Sequence, residues 1–300
     1  MRVEAGPFER IYDPSVGEAQ PWYVNDHTFI CDRDGTWHLI GITHPEPMDP
    51  FDETALCHAT APSLRGPWTK HAFAMTASEA DGETQLWAPH VIEHGGRYWL
   101  FVCAGGPSGD RYRLHLAVSD DCWTWTRSPS NPLVVDGFEA RDPMVLRLDE
   151  DRWVMYYTTT SSPSGGNHVV AATFSSDLVT WSGRTIVYRD ELVGTGAGPT
   201  ESPFVVRGPD LRWYLFCGPA RYGEAMARVA AGERPRWGSV YSSTVVLVSD
   251  DPLSFARADE VGMLEAHAAE VIVDPTDGST WVSHCGWGQG GVYLAPLRWI

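Results

Sequence analysis

Glu201-Ser202-Pro203-Phe204-Val205-Val206, then Gly208-Pro209-Asp210, then Trp213-Tyr214-Leu215-Phe216 is the stretch that decides the fold. An acid and a proline open an apolar run, a polar turn follows, and a second apolar run begins on tryptophan. Short aromatic and β-branched runs on either side of Gly, Pro and Asp are the signature of an antiparallel hairpin. The same phrase occurs four more times. Thr28-Phe29-Ile30 turns at Asp32-Arg33-Asp34-Gly35 into Trp37-His38-Leu39-Ile40, and His90-Val91-Ile92 turns at Glu93-His94-Gly95-Gly96 into Tyr98-Trp99-Leu100-Phe101. Met144-Val145-Leu146 turns at Asp149-Glu150-Asp151 into Trp153-Val154-Met155-Tyr156, and Val271-Ile272-Val273 turns at Thr276-Asp277-Gly278 into Trp281-Val282-Ser283-His284.

The anchor tryptophans stand at 37, 99, 153, 213 and 281, so the intervals are 62, 54, 60 and 68 residues. A third element follows in most units: Ala117-Val118-Ser119-Asp120 before Trp125, Thr173-Phe174-Ser175-Ser176-Asp177 before Trp181, Leu247-Val248-Ser249-Asp250 before Phe255, and more loosely His58-Ala59-Thr60 before Trp68. Each unit is therefore a meander of three or four antiparallel strands. Five register-matched units predict an all-β, five-bladed β-propeller formed as a single domain over residues 1–300. An irregular sandwich would not repeat its register. Tyr222–Gly232 is helix-prone and interrupts the fourth unit, as a lid or as a plain surface insertion.

Composition narrows the partners. The formal charge is −17, which disfavours nucleic acid and anionic membrane surfaces. The stretch from Met1 has no apolar leader and no run is long enough to span a bilayer, so the expected location is cytoplasmic. Cys103, Cys217 and Cys285 each lie four residues beyond an anchor tryptophan, in different blades, and are expected to be buried free thiols. No CxxC pair supports a structural zinc site. Oligomeric state is not readable.

Three inner strands open next to an acid: Asp26 in Tyr23-Val24-Asn25-Asp26-His27, Asp142 in Arg141-Asp142-Pro143, and Glu201 in the opening stretch. The innermost strands of a propeller line its central channel, so these three side chains are expected to meet at one mouth. A lone acid before a strand is a turn or capping residue; three at repeat positions point to chemistry. Glycosidic cleavage needs two carboxyl groups in different ionisation states, one as proton donor and one as base or nucleophile. A third acid raises the donor's pKa by like-charge repulsion, and Arg141 is placed to keep that third acid ionised. Trp22, Asn25, Trp87, His90, Arg141 and His267 stand beside these residues as candidate substrate contacts, with the tryptophans as stacking surfaces. His284 and Gln289 are placed to line the same channel.

These motifs carry a resemblance. The chain resembles the five-bladed propeller glycoside hydrolases of family 43 in Trp87-Ala88-Pro89-His90 and Glu201-Ser202-Pro203. It resembles family 32 in Trp22-Tyr23-Val24-Asn25-Asp26 and Arg141-Asp142-Pro143. The resemblance implies Asp26 as general base (family 43, inverting) or nucleophile (family 32, retaining), Glu201 as general acid, and Asp142 as the residue that orients substrate and tunes the acid. It departs at His27, where these families often have Pro, and at His90, where family 43 usually has an acid. For His267 it implies a channel histidine that can coordinate calcium with waters. The residues alone give a hydrogen-bonded histidine, with no metal ligand assigned and no cofactor required. The expected substrate is a small oligosaccharide or glycoside with a terminal furanoside or xyloside, an α-L-arabinofuranoside or β-D-fructofuranoside above all. A transglycosylase or biosynthetic enzyme using the same acids, and a non-catalytic carbohydrate-binding propeller, are the alternatives.

Overall fold

The apolar runs flanking each polar turn pair as antiparallel strands, and each pair is extended outward into a four- or five-stranded sheet. The computed structural model describes residues 1–105, 112–190 and 200–300. Blade one runs outward through Trp22–Cys31, Trp37–Pro45, Ala55–Ala61 and Thr69–Lys70. Blade two uses Gln85–His94, Arg97–Gly105, Arg113–Ser119 and Thr126–Arg127. Blade three uses Ala140–Asp149, Arg152–Ser162, Gly165–Ser175 and Ser182–Tyr188. Blade four uses Glu201–Arg207, Trp213–Gly218, Thr244–Ser249 and Glu260–Leu264. The five units of the repeat are five blades of one propeller, as the sequence predicts.

Blade five is assembled from both ends of the sequence. Val271–Val273, Thr280–His284 and Val292–Trp299 come from its C-terminal part, and Val3–Ala5 and Glu9–Tyr12 both pair with Val292–Trp299. Val3 stands opposite Trp299, and the amides of Arg2 and Ile300 each donate to the other's carbonyl at 2.7 and 2.9 Å. A Cβ on Gly291 would lie 1.7 Å from the Tyr12 carbonyl oxygen, so only glycine lets these strands close.

The Ser-Asp signals after the third strands are turns. Ser119 Oγ accepts from the Cys122 amide at 3.0 Å and Ser175 Oγ from the Leu178 amide at 2.8 Å. Two residues on, Asp121 and Asp177 accept from the amides of Thr124 and Thr180 at 2.9 and 2.6 Å. Side chains that satisfy backbone donors in this way set a tight turn without a ladder partner. Apolar faces of neighbouring blades fill the space between them: Phe204, Val205 and Phe216 of blade four share one buried cluster with Met144, Val154 and Tyr156 of blade three. All six cysteines are unpaired, and all but Cys31 are buried. The helix-prone interruption forms Tyr222–Ala230, followed by a second short helix, Trp237–Tyr241.

Candidate active site

The inner strands share one irregularity, and it builds the site. Each carries a left-handed residue near its start, or, in blade five, just before it: Asp26 (φ 25°), Ala88 (46°), Asp142 (56°), Ser202 (50°) and Ala268 (47°). In blades one to four the strand register slips there, between Asn25 and His27, Trp87 and His90, Arg141 and Met144, and Glu201 and Phe204. This is a β-bulge, in which an extra residue bends the strand and re-aims the side chains around it. Proline follows the kink in three blades, as Pro89, Pro143 and Pro203. Proline lacks an N–H, so the ladder bond lost at the bulge leaves no orphaned donor there. In blade one the partner is Gly41, opposite His27, where a Cβ would stand 2.8 Å from Val24 Cγ1 and 3.0 Å from His27 Cβ.

The kink sorts the residues into two rings. The residues just before it, Asn25, Trp87, Arg141, Glu201 and His267, all line one cavity of about 240 Å³, one from each blade. From the kink positions themselves, Asp26, Asp142 and Ser202 line the same cavity. Ala88 and Ala268 line the narrow channel beneath it. The expectation that the three acids occupy matching positions is therefore corrected. Asp26 and Asp142 match, Ser202 fills the matching place in blade four, and Glu201 stands one residue earlier. The three carboxyl groups still converge, because both rings open on the same mouth.

Arg141 is the electrostatic centre. Its guanidinium reaches Glu139 at 3.1 Å, Asp142 at 3.2 Å and Glu201 at 3.0 Å. It thus pairs with Glu201 as well as with the third acid it was expected to hold. Burial opposes its charge, but Asp142, Glu201 and Glu139 outweigh burial and keep it protonated. Burial also pushes Glu139 up, yet hydrogen bonding from His168 and the charge of Arg141 win and bring it down to about 2. Ser202 ties the two kink acids together: its amide donates to Asp142 Oδ2 at 3.0 Å and its hydroxyl to Asp26 Oδ1 at 2.8 Å.

Asp26 is held differently. Burial pushes its pKa up to about 6; His267 and the Ser202 hydroxyl pull it down, while Asp142 and Glu201 push it up. His267 Nε2 lies 3.9 Å from Asp26 Oδ2, and the His267 amide donates to His284 Nδ1 at 2.9 Å. Beneath, His27 Nδ1 lies 3.1 Å from Cys285 Sγ, and burial, then His284 and His267, lower His27 to about 3, so it is neutral.

Two candidate contacts fall outside the cavity. Trp22 packs against Phe73 at 6.2 Å and under the Lys70 ammonium at 5.4 Å. His90 lies deeper, in the channel, with Nε2 3.1 Å from the Val145 carbonyl oxygen and Nδ1 3.7 Å from Glu270. The kink explains His90: it sits two residues beyond Ala88 and so points below the mouth. Three wall residues carry no repeat signal in the sequence. Tyr241 comes from the end of the inserted helices, Trp287 from the loop after blade five's middle strand, and Glu53 from the loop between the second and third strands of blade one. The insertion therefore supplies a wall residue of the cavity. Among the described residues no group of three or more His, Cys, Asp or Glu is placed to hold a metal ion. No step is assigned to a metal.

Comparison with known proteins gives one family. The family described as Glycosyl hydrolases family 43 matches residues 69–296. A probable arabinan endo-1,5-alpha-L-arabinosidase C of Aspergillus fumigatus (strain CBS 144.89 / FGSC A1163 / CEA10) is 32% identical over 73 residues, 23% of this chain and 23% of that protein. The chain thus matches under a quarter of that relative's length. A probable arabinan endo-1,5-alpha-L-arabinosidase A of Emericella nidulans (strain FGSC A4 / ATCC 38163 / CBS 112.46 / NRRL 194 / M139) is 24% identical over 248 residues, 76% of this chain and 74% of that protein. Among solved structures, an endo-arabinase from Bacteroides thetaiotaomicron VPI-5482 superposes with a TM-score of 0.71 at 16% identity, covering 97% of this chain and 98% of that one. That likeness is one of fold.

Proposed function

This chain belongs to glycosyl hydrolase family 43, and from that premise we propose that it is a glycosidase that releases a terminal α-L-arabinofuranosyl unit from a short oligosaccharide with inversion at the anomeric carbon. The observation that carries the reading is the convergence of Asp26, Asp142 and Glu201 on one cavity of about 240 Å³. That volume lies just below the roughly 300–1,000 Å³ of sites for drug-sized molecules and suits a single sugar ring. The arabinan-directed relatives favour the arabinofuranoside over the fructofuranoside.

In this reading Asp26 is the general base. It takes a proton from a water that attacks the anomeric carbon, while the Ser202 hydroxyl fixes one of its oxygens and His267 flanks the other. Glu201 is the general acid. It gives its proton to the leaving oxygen, and its bond to Arg141 must be exchanged for one to the substrate as the glycoside enters. Asp142 and Arg141 are positioning residues: Asp142 receives the Ser202 amide and one arm of Arg141, and so fixes both rings relative to each other. Trp87 supplies an apolar face for the sugar ring.

The test is hydrolysis of a panel of aryl furanosides and pyranosides, with sucrose and short fructans, followed by proton NMR of the first-formed anomer. Cleavage of the α-L-arabinofuranoside with an inverted product is expected. A retained product would make Asp26 a nucleophile. Preferential cleavage of sucrose or fructans would replace the sugar, and transfer products with little free sugar would replace hydrolysis by a transferase.

A further inference from the structure

Glu53 is an acid that neither the repeat nor the proposed chemistry uses, yet it stands in the cavity wall with its side chain 1% exposed. A carboxyl this deep needs partners or it destabilises the fold. It has two, and both act on one oxygen. The Tyr23 hydroxyl donates to Oε1 at 2.8 Å and the Trp287 indole N–H donates to the same oxygen at 2.9 Å. Among the described residues no donor reaches Oε2. Tyr23 is itself fully buried, and Trp287 packs against Tyr241, another wall residue, with ring centroids 6.1 Å apart. The carboxyl is thus fixed by one oxygen, and its second oxygen has no partner among the described residues, in a wall shared with Asp26 and Glu201.

We propose that Glu53 is a specificity-determining residue, whose Oε2 accepts a hydrogen bond from one ring hydroxyl of the sugar held beside Asp26 and Glu201. The inference rests on the glycosidase reading of this cavity and adds to it a basis for choosing among sugars. A buried acceptor that no described residue completes and a substrate hydroxyl does rejects an analogue lacking that hydroxyl, because the acceptor is then left unpaired. Through the shared oxygen Glu53 also sets the orientation of the Trp287 ring.

The experiment compares wild type, Glu53→Gln and Tyr23→Phe on an aryl α-L-arabinofuranoside and its 2-, 3- and 5-deoxy analogues, reading kcat/KM for each. Glu53→Gln keeps an oxygen for Tyr23 and Trp287 but turns the free acceptor into a donor. The expected result is a loss of about 10- to 100-fold on the parent glycoside. At one deoxy position the wild-type penalty should shrink by a comparable factor in Glu53→Gln. Tyr23→Phe, which loosens the same carboxyl without touching Oε2, should keep the wild-type pattern of deoxy penalties. If Glu53→Gln does not fold, Glu53→Asp withdraws the acceptor by one methylene and is read in the same way. Unchanged deoxy penalties at all three positions in the folded variant would overturn the assignment while leaving the glycosidase reading intact. Failure of wild type to cleave the parent sugar would overturn the arabinofuranoside reading and this inference with it.

Discussion

Blades one, three and four carry Asp26, Asp142 and Ser202 at the kink, whereas blades two and five carry Ala88 and Ala268. The backbone barely distinguishes them: φ is 25°, 56° and 50° in the first group, 46° and 47° in the second. The kink therefore does not exist to hold an acid, and an acid does not make the kink. What differs is connection. Ser202 bonds to both Asp26 and Asp142, and Arg141 reaches from Asp142 to Glu201, so the polar positions form one continuous sector. All five kink residues line the channel, but the two alanines stop there, whereas Asp26, Asp142 and Ser202 also line the cavity above it. A fivefold scaffold thus yields a one-sided site, with side-chain chemistry laid over equal backbone.

The sharpest way to break this comparison is to neutralise acids in the polar sector. Asp26→Asn and Glu201→Gln should each lower kcat by about 10³-fold or more, measured on the aryl glycoside, with the fold retained. Asp26→Asn carries a second, opposite effect. Because Asp26 titrates near 6 when folded, the folded chain binds that proton more tightly than the unfolded chain does. Stability from this group is then fully present below the ordinary carboxylate range and lost as pH rises through about 6. Removing the charge should raise stability at pH 7 by about 2–3 kcal/mol and change little at pH 4, seen as a Tm gain confined to neutral pH. The same titration predicts that wild-type kcat/KM falls as pH drops below about 6.

Next in size is Arg141→Met, which leaves Glu139, Asp142 and Glu201 buried without their shared cation. A loss of about 3–5 kcal/mol is expected by denaturant titration, since removing one partner of a buried ion pair strands the others. Ser202→Ala is milder. It removes a bond that lowers the Asp26 pKa, so the acidic limb of the pH–rate profile should move upward, with turnover at neutral pH falling by roughly tenfold or less. At the apolar positions, Ala88→Gly and Ala268→Gly should leave activity unchanged. Their stability should shift by no more than about 1 kcal/mol, because relief of the left-handed strain offsets glycine's freedom in the unfolded chain. A large activity loss there would mean that the alanines belong to the site.

The repeat made the blades legible because strand alternation, turn residues and the anchor tryptophans are local. Site convergence was legible for the same reason: equivalent strand ends in a ring must meet. The offset of Glu201 was also present in the sequence. Aligning Ala88-Pro89, Asp142-Pro143 and Ser202-Pro203 puts Ser202, not Glu201, opposite the two aspartates. Reading acids instead of prolines hid this. Trp22 and His90 were misjudged because adjacency along a kinked strand does not mean adjacency in space. Glu53, Tyr241 and Trp287 could not be read at all. Glu53 and Trp287 sit on loops and Tyr241 ends an inserted helix, and the positions of all three are set by contacts across the molecule. The pairing of Val3–Ala5 into blade five was hidden likewise, since a three-residue strand has no signature apart from its partner.

That pairing has a kinetic meaning. Joining Val3 to Trp299 closes a loop that spans nearly the whole chain. Loop closure costs entropy that grows with the logarithm of loop length, and contacts this distant in sequence slow folding. Blades one to four can each form from neighbouring residues, but the junction between blades five and one needs the two ends to find each other. Asp26 and His267 face one another across that junction. In the proposed chemistry the Asp26 side of the site therefore depends on contacts between distant parts of the chain, so nascent or partly unfolded molecules can hold well-formed blades before that side is assembled.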